Sequence, residues 1–472
     1  MIKINYNDKT IEIDDVLVLF KKNNKVHHIH KDNINIKISD NQIKIYRDFQ
    51  SDGSVFYFYD CNAVFLTTSI NELKSIKQLE IDELMLDECL TYGYILPPKT
   101  FMKGVFILSN FINLIISLKG NSRKISVFYD FSYRTFSKAK LNKFDIFNKV
   151  EGIKKYALLF SGGLDSTIIA KKFKNVIKCY LSSGFSFEKC DMIEKKYADT
   201  AAYELGININ YKSYDFKDLL ALLPEAINSS QNVLNHVQTL LMYKLIEEVP
   251  DDIHYILNGQ GADAIFGTFN QFQYVKGVAD CLKRIKTIKH FDFVKNAVTL
   301  SHENFDMNVY NEHYNELYLD NYIDLIGDCD ITINSWSTLS KHFHKKMIFP
   351  FYTKENYDYI NNFPWEYRSF EQKYVLKKIA KLNGISEEII KRKKASFGPV
   401  SDKWGKYLLL LLPICSEFLG IKLDHNSILA KKEYRYNLWN LINISIWKMI
   451  FINNIPVKKI KRQIKNLLKE NL

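Results

Sequence analysis

The sequence predicts a mixed α/β protein: a β-rich first part, then a doubly wound parallel sheet, then a helical C-terminal region. Three patterns predict it. Up to about residue 120, short runs of alternating apolar and polar residues are separated by Asn, Asp and Gly turns, as in strands with one buried face. From Tyr156 onward, apolar runs alternate with segments of helical period, the order that builds a parallel sheet with helices on both faces. From about Ala279 the chain is mostly at helical spacing and rich in aromatic residues.

In the first part, Ile43 to Tyr46, Ser54 to Tyr59, Ala63 to Thr67 and Val105 to Leu118 read as strands, and Glu80 to Tyr92 as a helix stopped before Pro97-Pro98. A polar stretch runs from Gly120 to Lys154. The second part opens on an apolar strand, Tyr156 to Phe160, and a helix, Ser166 to Phe173. A strand Val176 to Leu181, a helix Glu194 to Leu205 closed by Gly206, a helix Gln231 to Glu248 and a strand Ile253 to Leu257 follow. A chain of 472 residues is too long for one ordinary core, and the change of pattern divides it into residues 1–125 and 126–472.

Composition excludes several classes. Apolar residues at 47% and charged residues at 25% are those of a globular chain and exclude a disordered one. The most apolar stretch, Tyr407 to Pro413, is far shorter than the ~20 residues that cross a bilayer, so it reads as a buried helix. Seven scattered cysteines with no C-x-x-C, and no apolar signal segment after Met1, predict a cytoplasmic protein without structural zinc. His27, His28 and His30 lack a carboxylate or cysteine at ligand spacing and read as surface residues. The net charge of +12 fits an anionic partner, whether ATP, an acidic substrate, nucleic acid or a membrane surface; a Lys-rich composition gives the same surplus.

The segment Tyr156 to Thr167 narrows the choice. Its strand runs into Ser161-Gly162-Gly163-Leu164-Asp165-Ser166-Thr167 and then into a helix. Adjacent glycines let backbone N–H groups approach oxygen, the helix N-terminus favours anions, and Ser161, Ser166 and Thr167 carry hydroxyl donors. No lysine follows in the G-x-x-x-x-G-K pattern, so the loop suits a departing pyrophosphate rather than γ-phosphate transfer. Asp165 beside phosphates implies a Mg²⁺ between them. A second loop, Asn258-Gly259-Gln260-Gly261-Ala262-Asp263, also follows a strand. In open parallel sheets both loops lie at the carboxyl edge, where Asp263 can face Asp165 across one ATP and share the metal. A third station, Arg392 to Pro399, offers cations that can neutralise charge on the α-phosphate.

These three stations resemble the synthetase domain of the asparagine synthetase superfamily, which also contains β-lactam synthetases and lasso-peptide cyclases. Ser161 to Ser166 match its S-G-G-x-D-S, Gly259 to Asp263 its G-x-G-x-D, and Arg392, Lys394 and Phe397 its R-x-K-x-x-F. Tyr94 to Phe101 are similar to its interdomain linker, and Arg435 to Trp447 to its closing helix. The resemblance implies an ATP-pyrophosphatase fold behind a degenerate glutamine amidotransferase-like domain of the N-terminal-nucleophile kind. It also implies a C–N ligase that adenylates a substrate carboxylate, releases pyrophosphate and AMP, and joins the acyl group to an amine. Lys394 is the implied catalytic cation, with Asp165 and Asp263 as the Mg²⁺ ligands.

The departures concern the amine. Glutamine-dependent members carry a cysteine directly after Met1, and this chain has Ile2. The family's E-x-R-x-P-F-L-D is replaced by Lys346 to Thr353, Gln260 cannot act as a base at neutral pH, and Ala264 stands where an acidic residue is common. These changes imply no glutaminase activity, a changed acceptor pocket and an amine other than glutamine-derived ammonia, with a peptide or small molecule closed into a ring among the candidates. Ammonia-dependent asparagine synthesis, tRNA modification and non-catalytic nucleotide binding are the competing expectations. The basic residues of Ile455 to Leu472 read as a solvated helix rather than a nucleic-acid face, and no membrane partner is expected.

Overall fold

A computed structural model describes most of residues 1–129 together with residues 155–185, 188–267, 329–361, 373–392, 402–419 and 432–469. The β-rich part forms two antiparallel sheets. One joins β1 (Ile2–Asn5), β2 (Thr10–Ile13), β3 (Val16–Leu19), β7 (Phe56–Tyr59), β8 (Ala63–Thr67) and β9 (Phe106–Ile107) in the order β3-β2-β1-β8-β7-β9. The other joins β4 (His27–Lys31), β5 (Ile34–Ser39), β6 (Gln42–Arg47), β10 (Ile112–Ser117) and β11 (Lys124–Tyr129) in the order β11-β10-β6-β5-β4. Period-two burial sets the register. Ile34, Ile36 and Ile38 point inward from β5 opposite Arg47, Ile45 and Ile43 of β6. The predicted strand Val105 to Leu118 is divided into β9 and β10, and β11 lies in what reads as a polar stretch, because Lys124–Tyr129 finds a partner in β10. Of the predicted helix Glu80 to Tyr92, Glu83, Met85 and Cys89 are helical and much of the rest lies outside the described residues.

The second part is a five-stranded parallel sheet: β12 (Tyr156–Leu159), β13 (Ile177–Phe185), β14 (Asn210–Tyr214), β15 (Tyr255–Leu257) and β16 (Lys346–Ile348), in the order β14-β13-β12-β15-β16. Tyr156, Ala157, Leu158 and Leu159 are all buried, as a central strand of such a sheet requires. The chain winds outward from β12 in one direction and then returns to its other side, so the strand order reverses between β12 and β15. A crevice opens beyond the carboxyl ends at such a reversal. The predicted helix Gln231 to Glu248 begins only at Gln238, because Gln231 adopts a left-handed conformation (φ 56°) that ends the preceding helix Leu223–Ser230. The C-terminal region is helical, with Lys432–Phe451 buried through Trp439 and Trp447 and with Val457–Lys469 seated on Ile460, Ile464 and Leu468. Tyr407 to Pro413 spans the junction of helices Asp402–Leu410 and Leu412–Leu419. Among the described residues no helix is long and apolar enough to cross a membrane.

The β-rich part reaches the parallel sheet through polar contacts. Arg47, at the end of β6, donates to the Leu108 carbonyl at 3.2 Å and to Asn334 Oδ1 at 3.1 Å. Asn110 Nδ2 donates to Asp330 Oδ1 at 2.6 Å, and the same oxygen accepts the Tyr352 hydroxyl at 2.9 Å. Phe49 packs on the Tyr352 ring with centroids 4.9 Å apart. Burial raises the carboxyl pKa of Asp330, against the opposing influence of Arg47 and the hydrogen bonds. Asp330 therefore depends on its donors. Asn110→Ala removes one, and urea denaturation is expected to show a loss of about 2 kcal/mol.

Candidate functional site

The two loops read from the sequence meet at the reversal. β12 delivers Ser161–Gly163 and β15 delivers Asn258–Gly261. A Cβ built on Gly259 would stand 3.1 Å from the Asp165 Cβ, so the loops touch. The first loop is tied by its own hydroxyls. Gly163 N–H donates to Ser161 Oγ at 3.3 Å, and Ser166 Oγ donates to the Gly163 carbonyl at 3.1 Å. Gly163 is the N-cap of helix Leu164–Phe173 and brings no side-chain oxygen to close it, so the start of the helix faces the cleft. Gly162 has φ 65° and lies against the backbone of Tyr197 and Ala198, a place only glycine fills without strain.

The second loop is shaped by Gly261 (φ 93°), whose missing Cβ would stand 2.8 Å from the Tyr352 Cβ. Asn258 sets the turn by accepting the Gln260 N–H at 2.8 Å. The altered segment Lys346 to Thr353 thus supplies the edge strand β16 and the aromatic wall under this loop.

Asp165 and Asp263 converge on one cation, the ammonium of Lys373, at 2.6 and 2.9 Å. The two carboxylates are partly exposed, whereas the Lys373 side chain is 7% exposed. Burial alone would push the lysine pKa down; the two carboxylates outweigh it and hold the ammonium above the ordinary lysine value. Around this triad lies a cleft of about 300 Å³. Ser161, Gly163, Leu164, Asp165, Ser166, Gly259, Gln260 and Asp263 line it, with an apolar wall that includes Leu241, Met242 and Trp336. Thr167 is fully buried and, like Gly162 and Gly261, stands behind the lining. Lys394 and Phe397 lie outside the described residues.

Arg392 is described, and it grips the first loop. Its Nη1 donates to the Ser161 carbonyl at 3.1 Å, its Nη2 pairs with Glu194 at 2.8 Å, and its guanidinium lies 4.0 Å from the centre of the Tyr197 ring. Burial raises the Glu194 pKa, and Arg392 works against that rise.

Lys373 and Glu194 carry no local sequence signal for a site. Lys373 looks like one lysine among several beside an amphipathic helix, Tyr374–Leu382, and only the long-range sheet geometry brings it to the aspartates. Two carboxylates already holding a monovalent cation are the hard-oxygen donor set that Mg²⁺ takes. No cluster of three or more metal-ligating side chains is present among the described residues.

Residues 149–447 match the family model described as asparagine synthase. A stretch of 244 residues is 22% identical to the microcin J25-processing protein McjC of Escherichia coli, covering 48% of this chain and 45% of that protein. The chain thus spans about half the length of the curated relative it matches.

Proposed function

The chain belongs to the asparagine synthase family, and from that premise we propose that it forms amide bonds by adenylating a substrate carboxylate at the expense of ATP. One observation carries this reading: Asp165 and Asp263, from two loops at the reversal of strand order, converge on a single cation at the head of a helix. A Mg²⁺ held by these two carboxylates would neutralise polyphosphate charge. The backbone of Ser161–Gly163 and the start of helix Leu164–Phe173 bind the departing pyrophosphate, and the ammonium of Lys373 adds a positive charge beside it. The carboxylate attacks the α-phosphate, and the amine then displaces AMP from the acyl group. Lys394, two residues beyond the Arg392 clamp, is the cation assigned to the charge that develops in both steps.

The amine comes from the substrate or from solution rather than from glutamine. Among the described cysteines, Cys89, Cys329 and Cys415 are buried. Burial raises the thiol pKa of Cys179 and pushes that of Cys415 up to about 12, the opposite of an activated nucleophile. Similarity to McjC supports a peptide as the carboxylate substrate, in the branch that includes lasso-peptide cyclases.

Incubation of the full chain with ATP, Mg²⁺ and candidate peptides should release AMP and pyrophosphate in step with loss of water from the peptide by mass spectrometry. Release of ADP, or glutamate formed from added glutamine, would contradict the reading.

A further inference from the structure

The ammonium of Lys373 stands where a shared divalent cation would stand. It lies 2.6 Å from Asp165 and 2.9 Å from Asp263, each a ligand in the reading above. Its backbone is fastened to the element that carries Asp263. The Lys373 N–H donates to the Gly267 carbonyl at 3.0 Å, and Gly267 caps the short helix Ala262–Phe266 that contains Asp263. Lys373 holds a left-handed conformation (φ 54°) at the start of helix Tyr374–Leu382, an unusual backbone for a lysine and one that such anchoring must maintain. With its side chain 7% exposed, it has little room to retreat into solvent.

We propose that Lys373 is a built-in counter-ion that keeps divalent metal out of the nucleotide-free site, so that metal enters only together with ATP. The charge count explains the order. Among the three groups that meet there, two carboxylates and one ammonium leave a net single negative charge, and Lys377 and Arg392 also line the cleft; that is too little to strip water from a Mg²⁺ that dehydrates reluctantly. A bound polyphosphate adds the missing negative charge and oxygen ligands, and gives the ammonium other partners. Metal and nucleotide then strengthen each other's binding reciprocally.

This inference rests on the ATP reading, and the test separates the two. Mn²⁺ binding to the full chain is followed by electron paramagnetic resonance, alone and with α,β-methylene-ATP, whose α–β linkage cannot be cleaved. Wild-type protein is expected to take up stoichiometric Mn²⁺ only with the analogue. Lys373→Met and Lys373→Gln, checked for folding by circular dichroism, are expected to gain a nucleotide-free Mn²⁺ site about 10- to 100-fold tighter than any in wild type, a typical span for coupled sites. Adding Asp165→Asn should remove the gained site. Stoichiometric Mn²⁺ on nucleotide-free wild type overturns the proposal whether or not the variants fold, and so do folded variants that gain nothing. Failure of wild type to bind Mn²⁺ even with the analogue removes the ATP reading, and this inference with it.

Discussion

Gly162→Ala is expected to abolish nucleotide binding and to lower stability by about 3 kcal/mol, combining the cost of a left-handed alanine with that of an overpacked contact. The added methyl has no space. It would lie 2.6 Å from the Ala198 Cα and closer still to the Tyr197 carbonyl oxygen. These are backbone atoms of helix Glu188–Leu205, so relief requires moving either the helix or the loop. Moving the loop displaces Ser161, Gly163 and Leu164 from the wall of the cleft. The neighbouring position is the control. Gly163 has φ −77°, and a Cβ there meets only the Ser161 hydroxyl, at 3.2 Å, and Arg392 Nη1, at 3.7 Å. Gly163→Ala should therefore keep most of its stability while weakening the ligand. Urea midpoints and calorimetric titration with α,β-methylene-ATP check both. A Gly162→Ala protein that binds the analogue as wild type does would show that this loop is not the polyphosphate cradle.

The sequence was most legible where local pattern and function coincide. The run Tyr156 to Ser166 shows a buried strand, a glycine turn and a helix start within a few residues, and the proposed polyphosphate site is built from those local features. The Asp263 loop was legible for the same reason. The edge strands β14 and β16 were not: Asn210–Tyr214 is mostly polar, and Lys346–Ile348 is only three residues long, so each is a strand only because a neighbour offers it hydrogen bonds. Lys373 escaped sequence reading on the same physical ground. Its partner Asp165 is 208 residues away, and no periodicity encodes a meeting at that separation. The Tyr352 wall shows the converse. A segment that reads as a lost substrate motif carries a packing role, since Tyr352 is fully buried between Phe49 and Gly261.

Arg392→Ala should cost about 3 kcal/mol, and the loss should depend on pH in a direction that identifies its cause. The arginine and Glu194 side chains are each 8% exposed, so removing one leaves the other buried. A buried carboxylate without its partner escapes the full penalty by taking up a proton, and burial already pushes the Glu194 pKa upward. Without Arg392, the folded-state value rises further above the unfolded one. The folded protein then binds the proton more tightly, and stability falls as pH rises from the ordinary glutamate value toward the raised one. The variant should therefore be closest to wild type at acid pH and furthest from it above neutrality. Arg392→Ala combined with Glu194→Gln removes the titrating group and should flatten the difference. Arg392→Lys should not restore the clamp, because one ammonium cannot bond Glu194 and the Ser161 carbonyl while stacking on Tyr197 as a planar guanidinium does. Urea midpoints between about pH 5 and pH 8, the window in which a raised carboxyl titrates, separate these cases. A loss that does not vary with pH would assign the effect to the Tyr197 stacking and the Ser161 bond instead. In either case the clamp ties the segment leading to Lys394 to the loop proposed to hold the pyrophosphate, so weaker retention of the loop should appear as a higher KM for ATP.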